Sequence, residues 1–211
     1  MANKFKVSLL VNLRDMFYTL AQNEKRYGIF PDRNIRINNI CDISMYEDHE
    51  FKEGSETDVA QMMRLIDERI AWMDANGIDQ WNNSHYREHY PEEYYVDAVQ
   101  AGRLYVLYQK MSGKVVAGAV LLEKDGRWDV ITSSAYYVHN LVAAIDAKGA
   151  GKRMLEEIEN LCRLNGKKFL RLDCSAGNKA LNRWYESLGF RHVGAVIDGE
   201  YTGNLMEKKL T

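Results

Sequence analysis

Apolar residues recur along the chain at two spacings. Leu10, Leu13, Phe17 and Leu20, with Met16 and Ala21, keep helical spacing and predict an amphipathic helix over 8–24, ended by Gly28 and Pro31. Residues 34–43 alternate weakly and predict a strand. Residues 1–48 thus read as an N-terminal extension, its helix packing on the main body or on a second copy of the chain. A homodimer is compatible with such a helix. Residues 49–211 read as the principal domain. There Val59, Met62, Met63, Ile66, Ile70 and Met73 form a helical stripe behind Ser55 and Asp58, and Gly77 stops it. Pro91 opens a second helix that ends at Gly102. Residues 103–109, 114–124 and 135–143 are rich in Val, Leu and Tyr and predict three strands.

The next stretch is a strand, a glycine-bearing loop, a helix and another strand. The helix carries Met154, Leu155, Ile158, Leu161 and Cys162 on one face and stops at Gly166 before the strand 167–174. Two strands joined by a helical crossover should be parallel. A further helix closes at Gly189, and the tail predicts an antiparallel pair. The expected fold is a mixed α/β sheet with helices on both faces, not a doubly wound nucleotide fold.

Composition acts mainly by exclusion. The 211 residues hold 28 Lys+Arg against 30 Asp+Glu, a net charge of -2, which argues against a general nucleic-acid binder. No apolar run approaches the ~18 residues of a membrane span. The N-terminal apolar run is broken by Asn12, Arg14 and Asp15 and does not read as a secretory signal. Cys41, Cys162 and Cys174 are odd in number, widely spaced and free of CxxC pairs. They suit a reducing cytoplasm and give no metal site.

Chemistry concentrates at Lys148-Gly149-Ala150-Gly151-Lys152-Arg153, where a strand hands over to a helix. Glycines let backbone N–H groups approach a ligand, and the first helical turn has unpaired N–H groups and a partial positive charge. The pair makes an anion site suited to phosphate or pyrophosphate. The plainer reading is a flexible turn with Asp146 as an ordinary N-cap. Met154 stands where a dinucleotide fingerprint needs glycine, and Arg153 where a P-loop needs Ser or Thr. Ser133 and Ser134 lack the GxSxG setting of a hydrolase.

Residues 146–151 (Asp-Ala-Lys-Gly-Ala-Gly) and the block Asn178, Leu181, Tyr185, Glu186, Gly189 and Phe190 resemble the GNAT family of N-acetyltransferases. Tyr137–Val142, Leu170–Cys174 and Gly77–Trp81 look similar to it as well, so the resemblance spans about residues 50–210. It implies a mostly antiparallel twisted sheet with one parallel crossover at a splayed strand pair. It also implies transfer of an acetyl group from acetyl-CoA to a primary amine, on a small molecule, by direct attack in a ternary complex, without metal or membrane. A non-catalytic acyl-CoA-binding module of the same fold is the alternative. Asp146 replaces the family's Gln or Arg, a carboxylate that repels pyrophosphate unless it caps the helix or turns away.

By the same resemblance, residues 149–153 would bind the pyrophosphate, with Lys148, Lys152 and Arg153 at the rim. The edge Asn140-Leu141-Val142 would pair with the pantetheine arm, and the Leu141 N–H would polarise the thioester. Asn178 would bond that arm, cap its own helix, or both. Tyr185 matches the general acid. His139 is the nearest titratable candidate for the base, against a structural histidine or water. Trp81, Tyr86, Tyr90 and Tyr94 would wall the acceptor site, and Asp79, Glu88, Glu92 and Glu93 could attract a cationic amine. The plainer reading is a packed helix pair with a solvated acidic face.

Overall fold

A computed structural model describes residues 48–128, 134–199 and 201–210. The helix expected over 8–24, the strand over 34–43, Cys41 and Ser133 lie outside them. The described elements are β1 (His49–Glu53), α1 (Glu56–Ala75), α2 (Tyr86–His89), α3 (Glu92–Gln100), β2 (Leu104–Gln109) and β3 (Lys114–Leu122). They continue with β4 (Ala135–Ala143), α4 (Ala150–Leu164), β5 (Phe169–Ser175), α5 (Lys179–Ser187), β6 (Arg191–Asp198) and β7 (Tyr201–Lys209). The strands form one sheet in the order β1-β2-β3-β4-β5-β7-β6. Among the described strands only β4 and β5 run parallel. This is the mixed sheet expected of the crossover.

Two elements are additions to the expected order. β1 has a single large apolar residue, Phe51, so no alternation marks it; it is a strand because it pairs with β2 from His49↔Gln109 to Glu53↔Tyr105. Phe51 also stacks on Tyr105 at 5.4 Å. α2 is one turn of four residues, entered through a left-handed His85. Both are fixed by tertiary partners rather than by local periodicity.

The sheet buries both faces. On one, Val138, Leu170, Leu172 and Cys174 pack with Met154, Leu155 and Ile158 of α4 and with Tyr185 of α5. On the other, Val106, Val115, Val120 and Val142 pack with Val59, Met62 and Ile66 of α1 and Tyr95 of α3. The start of α1 is fixed by Asp58, whose carboxylate accepts the Ser55 N–H at 2.8 Å. At Gly118 of β3 an added Cβ would lie 2.5 Å from Met62 Sδ, so glycine sets how closely α1 lies on the sheet there.

The feature that matters most is where pairing stops. β4 and β5 pair from Ala135↔Phe169 to Val138↔Leu172 and no further. β4 runs on to Ala143 against β3, and β5 to Ser175 against β7. Residues 139–143 and 173–175 therefore line the two arms of a V. A bulge sharpens it: Asn140 and Leu141 together face Ala119, because Gly118 pairs with Val142 and Val120 with His139. Asn140 has φ 54°, which Asn tolerates better than most residues. Bulges of this kind bend a strand and add local twist.

Candidate active site

The bulge is held by tyrosines. The Asn140 amide donates to Tyr86 Oη at 2.6 Å and accepts from Tyr94 Oη at 3.0 Å. Tyr86 in turn meets the Tyr95 hydroxyl at 3.1 Å. Trp81, Tyr86, Tyr90 and Tyr94 run ring to ring at 4.4, 4.9 and 5.0 Å. The four rings form one continuous stack that anchors α2 to α3, as the plainer reading expects. Burial pushes Tyr94 up to about 12 and raises Tyr86 and Tyr90, so these rings stay neutral at physiological pH. At the far end of the bulge, Arg69 of α1 donates to the Ala143 carbonyl at 2.7 Å.

At the point of the V the two strands are strapped together. Arg127, from the β3–β4 connection, reaches Asp125 Oδ2 at 2.8 Å with Nη2 and Asp173 Oδ1 on β5 at 2.8 Å with Nη1. His139 Nε2 lies 2.9 Å from Asp125 Oδ2. Tyr201 of β7 donates to Asp173 Oδ2 at 2.6 Å. Against the cost of burial, the hydrogen bonds from His139 and Arg127 hold the Asp125 carboxyl well below the usual carboxylate range. These acids were missed in the sequence. The residues named there, Glu88, Glu92 and Glu93, are exposed, and Asp79 accepts from Asn83. The usable signal was the alternation of β5: Leu170, Leu172 and Cys174 take one core, which turns Asp173 to the opposite face.

The anion loop differs from the plain turn. Gly149 is the N-cap of α4 with φ 86°, and no side chain caps the helix. Asp146 is exposed and its carboxylate makes no cap, which corrects that expectation. Ala150 N–H turns back to the Ala147 carbonyl at 3.1 Å, and Arg153 N–H bonds the Gly149 carbonyl at 2.9 Å. Among the described residues, the N–H groups of Gly149, Gly151 and Lys152 have no such partner. The open donors are thus fewer than the five of 149–153. Arg153 pairs with Glu157 and Lys152 with Glu156 at 3.6 Å, so both also serve their own helix. A Cβ on Gly151 would lie 3.6 Å from Ala143 Cβ and 3.7 Å from the Trp184 ring. The first turn of α4 therefore sits beside the end of β4 and beside α5.

Tyr185 faces the β5 arm of the V. It is 6% exposed and belongs to the core. Its ring meets Trp184 at 4.9 Å and Phe190 at 5.6 Å. Among the described residues its hydroxyl makes no hydrogen bond, and it is not sealed off from solvent. Burial, with smaller effects of Cys174 and Asp173, raises it further, so it remains protonated. Asn182 fixes α5 to the arm: its amide donates to the Ser175 carbonyl at 2.9 Å, and its oxygen accepts from Asn204 at 2.8 Å. Asn178 caps α5, its Oδ1 accepting the Leu181 N–H at 3.0 Å. Its Nδ2 donates to Gln80 Oε1 at 2.9 Å, leaving one N–H for another acceptor.

Among the described residues no three His, Cys, Asp or Glu side chains are grouped to hold a metal, and no helix is long and apolar enough to cross a membrane.

The family model for the acetyltransferase (GNAT) family matches residues 67–190. A curated relative named as an uncharacterized N-acetyltransferase, YesJ of Bacillus subtilis (strain 168), is 24% identical over 162 residues, covering 73% of this chain and 86% of its own length. Among solved structures, a GNAT-family acetyltransferase from Listeria monocytogenes superposes with a TM-score of 0.63 at 20% identity, over 77% of this chain and 95% of that one. The PaiA N-acetyltransferase of Thermoplasma acidophilum, solved in complex with coenzyme A, gives 0.59 at 20% identity, over 76% and 98%. YncA from Salmonella typhimurium, solved with acetyl-CoA, gives 0.53 at 17% identity, over 78% and 95%.

Proposed function

Because this chain belongs to the GNAT family of acetyltransferases, we propose that it moves the acetyl group of acetyl-CoA to the primary amine of a small molecule, by direct attack in a ternary complex. The observation that carries this reading is a coincidence of place. The parting of β4 and β5, the uncapped first turn of α4 and the Tyr185 side chain all meet at one end of the sheet. The residues present fit a pyrophosphate: three open N–H groups, one of them on a glycine with positive φ, offer it a cradle, with Lys148 exposed beside them.

Acetyl-CoA, when bound, supplies the activated thioester. The N–H groups of Gly151 and Lys152 hold the diphosphate. The inner edge of β4 at Asn140, Leu141 and Val142 accepts an amide-bearing arm as an added strand. The Leu141 N–H polarises the carbonyl as the amine attacks. His139 takes the amine proton, and Tyr185 gives one to the leaving sulfur. Tyr90 and Tyr94 line the acceptor side, where Asp125 and Asp173 outnumber Arg127 and favour a cationic amine.

A thiol-release assay with acetyl-CoA and a panel of alkylamines, polyamines and amino sugars tests this. Amine-dependent release is expected. Stabilisation by acetyl-CoA without turnover on any amine would favour the acyl-CoA-binding module instead. Asp146→Gln, which removes the carboxylate beside the cradle, is expected to tighten acetyl-CoA binding about threefold by calorimetry, since a charge at the surface acts through water. Weaker binding in that variant would mean that Asp146 shapes the loop.

A further inference from the structure

The β3–β4 connection sets Asp125 and Arg127 against the His139 ring. His139 stands immediately before the bulge, on the β4 arm of the V, and its ring is bracketed by Asp125 and Arg127. Nε2 lies 2.9 Å from Asp125 Oδ2. A lone pair at Nε2 would oppose the carboxylate lone pairs at that distance, whereas a proton there makes a charge-assisted hydrogen bond. Arg127 Nη2 is 3.0 Å from Nε2 and 3.4 Å from Nδ1. One atom that near both ring nitrogens lies beside the ring and not along either lone pair. Arg127 is also spent elsewhere, on Asp125 at 2.8 Å and on Asp173 at 2.8 Å. Nδ1 is therefore the nitrogen left to accept a proton.

We infer that Asp125 is a positioning residue of the transfer reaction: it fixes the His139 imidazole with its proton on Nε2, so that Nδ1 faces the V as the base. This rests on the acetyl-transfer reading above. In the step it serves, Nδ1 takes one proton from the acceptor ammonium, leaving a neutral amine and an imidazolium held against Asp125. The amine lone pair forms the C–N bond to the acetyl carbon and the C–S bond breaks. The sulfur takes the Tyr185 proton, the new amide loses its second N–H proton to the resulting phenolate, and His139 releases its own to water. A histidine works this way only when its far nitrogen is fixed, because the hydrogen bond at one nitrogen decides which tautomer the other presents. The charged and titratable groups around the ring are Asp125 and Arg127 on the connection, Asp173 on β5 through Arg127, Tyr201 on β7 through Asp173, and Tyr90 before α3. Asp125 has 7% of its side chain exposed, so the pairing is sheltered from competing water.

The test uses the full chain labelled with 15N in histidine, read by long-range proton–nitrogen correlation, beside steady-state kinetics with the most active amine of the panel. The wild-type protein is expected to carry the His139 proton on Nε2. Asp125→Asn, which keeps the shape and removes the charge, is expected to lose that preference. Its kcat should fall about 10- to 100-fold, short of the ~10²–10⁴-fold for complete loss of a base, with acetyl-CoA affinity within about twofold. A proton on Nδ1 in the wild-type protein overturns the inference, and decides alone if Asp125→Asn does not fold. So does Asp125→Asn with unchanged kcat, or His139→Ala with full turnover. If wild-type protein acetylates no amine, the acetyl-transfer reading fails, and with it a role for Asp125 in that reaction; the nitrogen spectra would still report the contact itself.

Discussion

Tyr185→Phe is expected to lower kcat about 10²- to 10⁴-fold while acetyl-CoA affinity stays within about twofold. The substitution removes one oxygen and little else. The ring contacts with Trp184 and Phe190 are kept, and among the described residues no hydrogen bond to the hydroxyl is lost. What is lost is the proposed proton donor at the β5 arm. A free thiol has a reference pKa of ~8.5 against ~10 for tyrosine, so complete transfer to a leaving thiolate is uphill by at least ~2 kcal/mol. Burial raises Tyr185 further, which widens that gap and at the same time keeps the donor protonated throughout the working pH range. In the proposed reaction the hydroxyl would thus act chiefly by hydrogen-bonding to sulfur as charge develops, and complete the transfer late. A kcat within about threefold of wild type would remove Tyr185 as the acid.

Gly149→Glu should weaken acetyl-CoA binding at least about 100-fold, measured by calorimetry. Two effects add. The residue has φ 86°, a region that costs a residue with a Cβ roughly 1–2 kcal/mol. The new carboxylate would also stand beside the N–H groups of Gly151 and Lys152, where it would satisfy donors that we propose bind phosphate and would repel the dianion. Gly149→Ala separates the two. It carries the backbone strain without the charge and should lose far less affinity. Wild-type affinity in Gly149→Glu would move the anion site away from the start of α4.

Much of the fold follows from periodicity. The stripe of α1, the unbroken apolar run of β3 and the face of α4 are long enough to mark themselves, and the glycine turn before α4 carries its chemistry in its composition. β1 and α2 do not, since one is recruited by backbone pairing with β2 and the other by ring contacts among tyrosines. Within the candidate site, Tyr185 and His139 draw notice through the resemblance to the family, and the Gly149–Gly151 turn through its glycines at a strand-to-helix junction. Asp125 and Arg127 were not: they sit in a connection with no period, and only the hydrogen bonds they make to His139 and Asp173 give them a role. Asp146 shows the reverse case, a residue whose type suggests a cap and whose place denies it.

The four paired positions between β4 and β5 have a mechanical consequence. They join a four-stranded half and a three-stranded half along a seam, with Arg127 as its rivet at the point where the two begin to part. Whatever extended molecule enters the gap supplies the rungs the sheet lacks there. Cargo and scaffold are in that respect the same object, and the protein is most nearly finished when it is loaded.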